Sequence, residues 1–300
     1  MKEKDYWIAA ASSFSKHTDQ AEIKLGAGIG EIPLGFHPYG INSKPTGDGG
    51  DRVAIADYFG PAVCTQEIRV TDEALQFTNV SFVHGAWYGP LRYRVFPPPV
   101  PPMDANRCTI ALWSFDDMLW VSRGQRELFV LMPSGETPKT THEQKIGTRW
   151  DCSKRIPLPS ADNFPSLVSA SFIDGNLRTI EADSSYDGWE TALYEFNGAK
   201  LNTIARSPIR KWSQGVVQCG KEPGKIITVT NGLEKSRDIG VYMDEQLLVP
   251  SVSGTGICAL SNGGLLISRY GQEEGGPFKG VTGALLYVPP TEVPGLQLVR

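Results

Sequence analysis

Along most of the chain, apolar residues alternate with polar ones in short runs that are separated by turns rich in Gly, Asn, Asp and Pro. An alternation with a period of two predicts strands with one side buried. Asp-Gly and Asn-Gly stand between such runs in SLVSASFIDGNLRTIEAD (166–183) and TALYEFNGAKLNTIA (191–205), and both dipeptides favour tight hairpin turns. The 3.6-residue period of amphipathic helices is nearly absent, so we expect an all-β protein.

The strand pattern repeats along the chain. ALWSFDDMLWVSRGQ (111–125) and ALSNGGLLISRYGQ (259–272) each contain an apolar strand, a tight turn, a second apolar strand, Ser-Arg and Gly-Gln, and a third strand follows both. Looser copies occur at 166–207 and 214–250. Each copy predicts a four-stranded antiparallel meander. Radial repetition of such units is typical of a β-propeller.

We therefore predict one β-propeller domain over residues 1–300, with five four-stranded blades. The predicted blades cover about 51–97, 108–147, 165–207, 214–250 and 255–300. Residues 1–50 supply a closing strand and a loop on the ligand-binding face, or else residues 5–35 belong to a sixth blade. In the first blade the innermost strand is expected at 52–58, and HGAWYGP (84–90) is expected in the turn between the third and fourth strands.

Composition narrows the possible partners. A net charge of −4 and the lack of a long basic segment argue against nucleic acid. No apolar run reaches the ~20 residues that span a bilayer, and the apolar stretch near the N-terminus is short for a signal peptide. We expect a cytoplasmic monomer without a membrane partner, or a secreted protein whose signal peptide has been removed. The five scattered cysteines predict free thiols.

Motifs for cofactor binding are not evident. GAGIGEIPLG (26–35) fails as a dinucleotide-binding loop, because Pro33 stands where the third glycine is needed and no helical pattern follows. The four histidines are far apart in sequence, so a histidine-rich metal site is not expected. We predict no cofactor, and a structural calcium ion among the Asp-rich loops is the alternative.

Acidic residues stand just ahead of three successive predicted innermost strands: Asp51, Asp104 and Asp162. In a propeller these strands begin at the central depression, so carboxylates at equivalent positions of different blades are expected to converge there. The structural alternative is that each Asp caps a turn by accepting hydrogen bonds from its own backbone.

Tryptophans stand beside charged residues in the predicted loops. Aromatic faces next to carboxylates and guanidinium groups suit sugar rings, which stack through C–H groups and hydrogen bond through hydroxyls. The predicted substrate-binding residues are His37, Arg123, Trp150, Arg155, Asp187, Trp189, Trp212 and Arg269. The structural alternative is that the tryptophans cover the core and that the paired arginines at the two Ser-Arg sites hold loops.

Two short segments, RIP (155–157) and SYDGW (185–189), resemble motifs of sialidase-type propellers. The positions differ from that family, in which Arg-Ile-Pro lies near the start of the chain and the Asp-box has one more residue before its aromatic. The five-blade count and the acids before the innermost strands resemble the furanosidase and fructosidase propellers, although the diagnostic motifs of those families are not evident. Both resemblances imply glycoside cleavage at the central depression.

These observations predict a carbohydrate- or small-molecule-active enzyme with glycosidase-like chemistry. Such chemistry needs an acid for the leaving oxygen and a carboxylate to activate water or attack carbon. Asp51 is the predicted base, Asp162 its orienting partner and Glu190 the acid, with Asp104 as a substitute for either aspartate. The first alternative is a lectin-like or peptide-binding propeller without catalysis, and the second is a metal-independent lyase or cyclase of specialised metabolism. The expected partner is a small molecule or glycan.

Overall fold

The computed structural model describes residues 21–24, 30–34, 38–57, 63–71, 74–84, 110–114, 116–123, 127–133, 147–159, 163, 166–173, 175–183, 185, 187–219, 225–230, 239–270 and 283–293. Within these ranges the regular structure consists of strands β1 to β21 and a 3₁₀ turn at Pro290–Glu292. The described part of the chain contains no helix that is long and apolar enough to span a membrane. The prediction of an all-β fold is confirmed.

The strands form five blades around a central channel, as the repeats predicted. Blade one contains β3 (Pro38–Pro45), β4 (Asp51–Asp57), β5 (Val63–Val70) and β6 (Ala74–His84). Blade two contains β7 (Ala111–Trp113), β8 (Leu119–Arg123), β9 (Glu127–Pro133) and β10 (Gly147–Pro157). Blade three contains β11 (Ser166–Ile173), β12 (Asn176–Ala182), β13 (Trp189–Phe196) and β14 (Leu201–Pro208).

Blade four contains β15 (Ser213–Cys219), β16 (Lys225–Thr230), β17 (Gly240–Met243) and β18 (Gln246–Pro250). Blade five contains β19 (Gly256–Ala259), β20 (Leu265–Tyr270), β21 (Gly283–Val288) and β2 (Gly30–Leu34). Blades one and two are also joined at their outer strands, because β10 pairs in parallel with β6. The remaining strand, β1 (Ala21–Lys24), pairs with β6.

The ring is closed by a strand from the N-terminal part of the chain. β2 pairs antiparallel with β21, from Gly30 opposite Tyr287 to Leu34 opposite Gly283. It therefore supplies the fourth strand of the fifth blade, which the C-terminal segment leaves with three. β2 thus closes the ring, and the described residues form five blades and no sixth.

The first blade differs from the prediction by one strand. Its innermost strand is β3, and the segment expected to be innermost (52–58) forms the second strand, β4. The sequence of β3, PYGINSKP, has prolines at both ends and one aliphatic residue, so it lacks the apolar alternation of a strand. HGAWYGP therefore begins at the end of the fourth strand, and residues 85–90 lie outside the described ranges.

A second correction concerns the connection between blades two and three. Residues 147–157 were expected within a crossing loop that begins blade three, but they form β10, the fourth strand of blade two. β10 pairs with β9 over its second half, with a bulge between Cys152 and Lys154. Charged residues in RWDCSKRIP hide the strand pattern because β10 lies on the outside of the propeller, where one side of a strand meets water.

The core consists of layers between neighbouring blades. Val63 and Leu131 belong to the layer between blades one and two, Leu177 and Leu128 to the layer between blades two and three. Both sides of the inner strands are thus buried, which explains their continuous apolar runs. Near the axis the backbones approach closely: a Cβ on Gly256 would lie 2.6 Å from the Tyr39 carbonyl oxygen, so this position accepts only glycine.

The innermost strands β3, β7, β11, β15 and β19 run in the same direction around the channel. They begin at what we call the upper end and finish at the lower end. Tyr39 OH donates to Gln214 Oε1 (2.8 Å) near the upper end, and Asn42 Nδ2 donates to Ser171 Oγ (3.5 Å) further down. These bonds join blade one to blades four and three, which are not its neighbours in the ring. Both bonds therefore cross the channel.

Candidate functional site

A cavity of about 70 Å³ lies at the lower end of the channel, where the innermost strands finish. All five blades contribute to its walls, through residues 42–45 and 51, 113 and 114, 171–173, 217, and 258–261. We call this space the lower cavity. The walls of the lower cavity are partly apolar and partly polar, with Val217 and Phe172 beside polar side chains.

The polar side chains nearest the channel axis are incompletely paired. Asn42 is 5% exposed, and its Oδ1 accepts a hydrogen bond from the Trp113 backbone N–H (3.0 Å). The Nδ2 of the same amide has only the long 3.5 Å contact with Ser171, a side chain that is 6% exposed. The indole Nε1 of Trp113 is buried and has no hydrogen-bond partner in the described part of the chain. The Trp113 ring packs in the apolar layer between blades one and two, so the groups in the cavity that could take a further partner are the Asn42 amide and the Ser171 hydroxyl.

Two opposite charges line the lower cavity. Asp51 is 2% exposed and accepts hydrogen bonds from the Ser261 backbone N–H (2.8 Å) and from Ser261 Oγ (2.8 Å). The ammonium of Lys44 donates to the Ser114 carbonyl (3.0 Å) and to Asp117 Oδ1 (2.8 Å). Each charge is thus held in place by its own partners. The cavity can offer both a strong acceptor and a strong donor to a ligand.

The thiol of Cys258 lies in the wall of the cavity but does not act as a nucleophile. Burial, together with the negative charge of Asp51, raises its pKa to about 12, and a hydrogen bond with Ser43 opposes the rise. The reactive form of cysteine is the thiolate, which is scarcely populated at neutral pH when the pKa is this high. Cys258 and Cys152 are both free thiols, as predicted.

Beside the cavity, the turn after β7 in blade two forms ion pairs with residues of blade one. Asp117 adopts a left-handed conformation there (φ 62°) and binds Lys44 (2.8 Å) and Arg52 (3.2 Å). The hydrogen bond from Lys44 lowers the pKa of the Asp117 carboxyl. The Arg52 guanidinium also lies 5.2 Å from the ring centre of Trp113. These contacts fix one side of the cavity opening.

The predicted catalytic pair, Asp51 and Glu190, is not brought together. Glu190 pairs with Glu181 across β12 and β13, and Glu181 pairs with Leu167 near the start of β11. Asp51 instead shares the lower cavity with Ile173 at the end of β11. Six residues of extended strand separate Leu167 from Ile173, which is about 20 Å. Two carboxyls that cleave a glycoside lie at most ~9.5 Å apart, which this separation exceeds.

Glu190 belongs to an ionic network between blades two and three. Arg206 donates to Glu190, to Glu181 Oε2 (3.0 Å) and to the Pro159 carbonyl (3.1 Å). Tyr194 OH donates to Glu181 Oε1 (2.6 Å), and burial together with this bond raises the pKa of Tyr194. Glu181 is 1% exposed. Because every member is held by the others, the geometry gives Glu190 a role in stability.

Three of the predicted binding residues do come together, at the upper end between blades three and four. The rings of Trp189 and Trp212 lie 5.7 Å apart at an interplanar angle of 48°. Exposed Asp187 accepts a hydrogen bond from Lys211 Nζ (2.9 Å), which lies 5.7 Å from the Trp212 ring. Trp189 is only 4% exposed and packs in the core, so its face is covered. This burial favours the structural alternative, in which the tryptophan covers the core.

Trp150 and Arg155 lie on β10 and not in the predicted crossing loop. Trp150 is buried and packs on Trp113, with 6.0 Å between ring centres. Arg155 belongs to the RIP segment, is exposed and lies over the ring of Phe129 at 5.1 Å. Neither residue lines the lower cavity, and Trp150 reaches its wall only through the contact with Trp113.

The serines of the two Ser-Arg sites, Ser122 and Ser268, form hydrogen bonds with the backbone of innermost strands or of the residue just before one. Ser122 Oγ accepts a hydrogen bond from the Ile110 N–H (3.0 Å), just before innermost strand β7. Ser268 Oγ donates to the Tyr39 carbonyl in innermost strand β3. Arg269 is half-buried on β20, and only the backbone of Arg123 is described, at the end of β8. A ligand-binding role for either arginine stays a prediction.

His37, Asp104 and Asp162 lie outside the described residues, so their predicted roles stay predictions. The polar residues that the structure does place in the lower cavity, Asn42 and Ser171, were not among the predicted ones. A polar side chain in the middle of an innermost strand is the signal that points to them.

Comparisons with known proteins do not identify a family for this chain. No family model matches the chain, and no curated protein matches it. The chain is similar to a solved structure described as a "putative oxidoreductase (glucose dehydrogenase)" from Thermus thermophilus. The identity is 11%, the match covers 87% of this chain and 99% of that chain, and the TM-score is 0.29. A similarity of this size supports no functional argument.

Proposed function

We propose that this protein is a small-molecule-binding propeller that holds its ligand in the lower cavity. The observation that carries the proposal is the convergence of buried polar side chains from different blades, Asn42, Asp51 and Ser171, on one cavity. Cavities with apolar walls and a few convergent polar groups are the usual sites of small ligands. The walls come from all five blades, so the site depends on the closed ring.

Binding without cleavage fits the described residues better than glycoside hydrolysis. Among the predicted catalytic acids that the structure describes, Asp51 lies in the cavity, and its carboxylate is engaged by Ser261. Glu190 lies at the other end of the channel and is bound by Arg206. A hydrolase would need Asp104 or Asp162 as the second acid. Hydrolysis by Asp51 with one of these aspartates is the alternative proposal.

The proposal is tested with a fragment library and ligand-observed NMR. Ser171 lines the cavity, and its side chain points across the channel to Asn42, so Ser171→Leu fills the space. We expect fragments to bind the wild-type protein and to lose binding in Ser171→Leu while the circular dichroism spectrum is kept. Exposed Ala205→Leu on β14 is the matched control. If fragments bind both variants as tightly as they bind the wild type, the lower cavity is not their binding site.

The hydrolase alternative has a separate test. Aryl glycosides that report cleavage are incubated with the wild type, with Asp104→Asn and with Asp162→Asn. Removing an acid or base lowers turnover by a factor on the order of 10² or more. We expect no turnover by the wild type. Turnover that either substitution abolishes would replace the binding proposal with the hydrolase.

A further inference from the structure

We propose that the exposed turn between β13 and β14 modifies itself: the backbone nitrogen of Gly198 attacks the side-chain amide of Asn197 and converts it to aspartate and isoaspartate. The second Asn-Gly turn of the described chain, at Asn262, resists the same reaction. The proposal is independent of the ligand of the lower cavity. It assigns a modification site to the outside of blade three.

The reaction needs only groups of the turn and water. The Gly198 nitrogen loses its proton to hydroxide and forms a bond to Asn197 Cγ, while negative charge collects on Oδ1. The bond from Cγ to Nδ2 then breaks, and Nδ2 takes up a proton from water and leaves as ammonia. Water opens the resulting cyclic imide at either carbonyl, which gives aspartate or isoaspartate. The attack is intramolecular, and glycine has no Cβ that would obstruct it.

The two described Asn-Gly turns are alike in exposure and in backbone. Asn197 and Asn262 are both exposed, and the glycines that follow them have φ angles of 84° and 87°. A difference in reactivity between the two sites must therefore come from the contacts of the reacting atoms. A third Asn-Gly, at 231–232, lies outside the described residues.

At Asn262 the fold holds each group that the reaction needs. The attacking Gly263 N–H donates a hydrogen bond to the Leu260 carbonyl (2.9 Å). The leaving group, Asn262 Nδ2, donates to Tyr287 OH (2.6 Å), and Oδ1 accepts from the Gly264 N–H (3.0 Å). An attack would first have to break the bonds of both the attacking and the leaving group, so the fold protects this site.

At Asn197 the attacking and leaving groups have no such restraint. Neither the Gly198 N–H nor Asn197 Nδ2 has a hydrogen-bond partner within the described ranges. Asn197 Oδ1 accepts hydrogen bonds from the backbone N–H groups of Ala199 (3.1 Å) and Lys200 (2.9 Å). Two N–H donors on the oxygen that becomes negative act as an oxyanion hole does, and they stabilise the intermediate. The contacts of this turn thus favour the attack.

The ammonium of Lys154 adds a positive charge beside the turn. It reaches from β10 in blade two, donates to the Gly198 carbonyl, and lies 5.3 Å from the ring centre of Phe196. The attacking nitrogen belongs to the same residue as this carbonyl, so the ammonium lies near the negative charge that develops on deprotonation. The modification places a new carboxylate at the contact between blades two and three.

The test follows the two sites in the same sample of the full chain. The protein is kept in slightly alkaline buffer, and peptide mass spectrometry measures over time the fraction of Asn197 and of Asn262 that has been converted. An isoaspartyl methyltransferase labels the isoaspartate formed. We expect Asn197 to react about 10-fold or more faster than Asn262, because two hydrogen bonds must break at the second site. In guanidinium chloride, where no fold distinguishes the sites, the two rates should be similar.

A lysine variant tests the contribution of the charge. Lys154→Gln should slow the reaction at Asn197 by about 2- to 5-fold, the effect of an exposed charge, and leave Asn262 unchanged. Exposed Lys225→Gln, on β16 in blade four, is the matched control.

Equal rates at the two sites of the folded protein would overturn the proposal. It would also be overturned if folding slowed the reaction at Asn197 by the same factor as at Asn262. In that case the hydrogen bonds to Oδ1 hold the side chain away from Gly198 instead of activating it. Equal rates at Asn197 in Lys154→Gln and Lys225→Gln would contradict the contribution of the Lys154 ammonium.

Discussion

Asp51 in blade one accepts two hydrogen bonds of 2.8 Å from Ser261 in blade five, 210 positions later in the chain. Ser261 lies in the turn between β19 and β20, directly after an innermost strand. The pair therefore joins the first and last blades at the lower end of the channel. Together with the pairing of β2 and β21, it fastens the two ends of the propeller ring.

Replacing Asp51 should lower stability. In Asp51→Asn an NH₂ group replaces one acceptor oxygen, so Ser261 Oγ must accept where it now donates, and both charge-assisted hydrogen bonds become weaker neutral ones. We expect the free energy of unfolding, measured by urea denaturation, to fall by about 1–3 kcal/mol. Exposed Asp151→Asn is the control and should leave the midpoint unchanged. Equal midpoints for the two variants would show that the pair with Ser261 contributes nothing.

The network of Arg206 predicts an order of stability losses in blade three. Glu181→Gln removes a fully buried charge that faces Arg206 and Tyr194, and should lower the free energy of unfolding by about 3–5 kcal/mol. Glu190→Gln acts on a side chain that is 14% exposed and should cost less. Exposed Glu195→Gln, on the same strand as Glu190, is the control. The reverse order, measured by urea denaturation, would contradict this account of the network.

The contact between Asp117 and Lys44 predicts a pH dependence. The pKa of Asp117 is lowered in the folded protein by the hydrogen bond from Lys44. A lowered pKa contributes stability above the ordinary value of about 4, and this contribution is lost as the pH falls through the folded pKa. The difference in unfolding midpoint between the wild type and Asp117→Asn should therefore be present at neutral pH and vanish in acid. Since Asp117 is 64% exposed, the difference should be small and should shrink in high salt.

Most of the fold could be predicted because hairpin turns and apolar alternation are local properties. Asp-Gly at 174–175 and Asn-Gly at 197–198 stand at the turns between β11 and β12 and between β13 and β14. β3 could not be found in this way. Its polar residues Asn42 and Ser43 bond to blades three and five, so the strand is made by contacts distant in sequence.

The candidate site was harder to predict than the fold for the same reason. An Asp before a strand looks the same whether it serves chemistry or a turn, and the one-strand shift in blade one moved Asp51 from the upper end to the lower end. Tryptophans beside charges also failed as a guide, because Trp189 and Trp150 fill the layers between blades. Whether a side chain is buried or exposed distinguishes a structural role from a functional one. Burial depends on how the blades pack in the folded ring, so it cannot be read from the local sequence.

The closing strand β2 should be essential for the integrity of the propeller. Deleting residues 1–35 removes the fourth strand of blade five and leaves the backbone groups of β21 without their partners from Gly30 to Leu34. An exposed strand edge next to buried Leu286 and Val288 favours association of chains. We expect the shortened protein to unfold at lower urea concentration, with a smaller slope, and to elute from a sizing column as aggregates.

The matched control is a deletion of residues 1–20, which keeps β1 and β2. That variant should unfold with the midpoint of the wild type if pairing with β21 is the contribution of the N-terminal segment. A synthetic peptide of residues 26–38, added to the protein that lacks residues 1–35, supplies the missing strand in trans and should raise the midpoint again. The peptide with Ile32→Pro cannot donate the hydrogen bond at the centre of β2 and should not rescue, because a proline lacks the N–H of a paired strand. An unchanged midpoint for the protein without residues 1–35 would mean that three strands suffice for blade five.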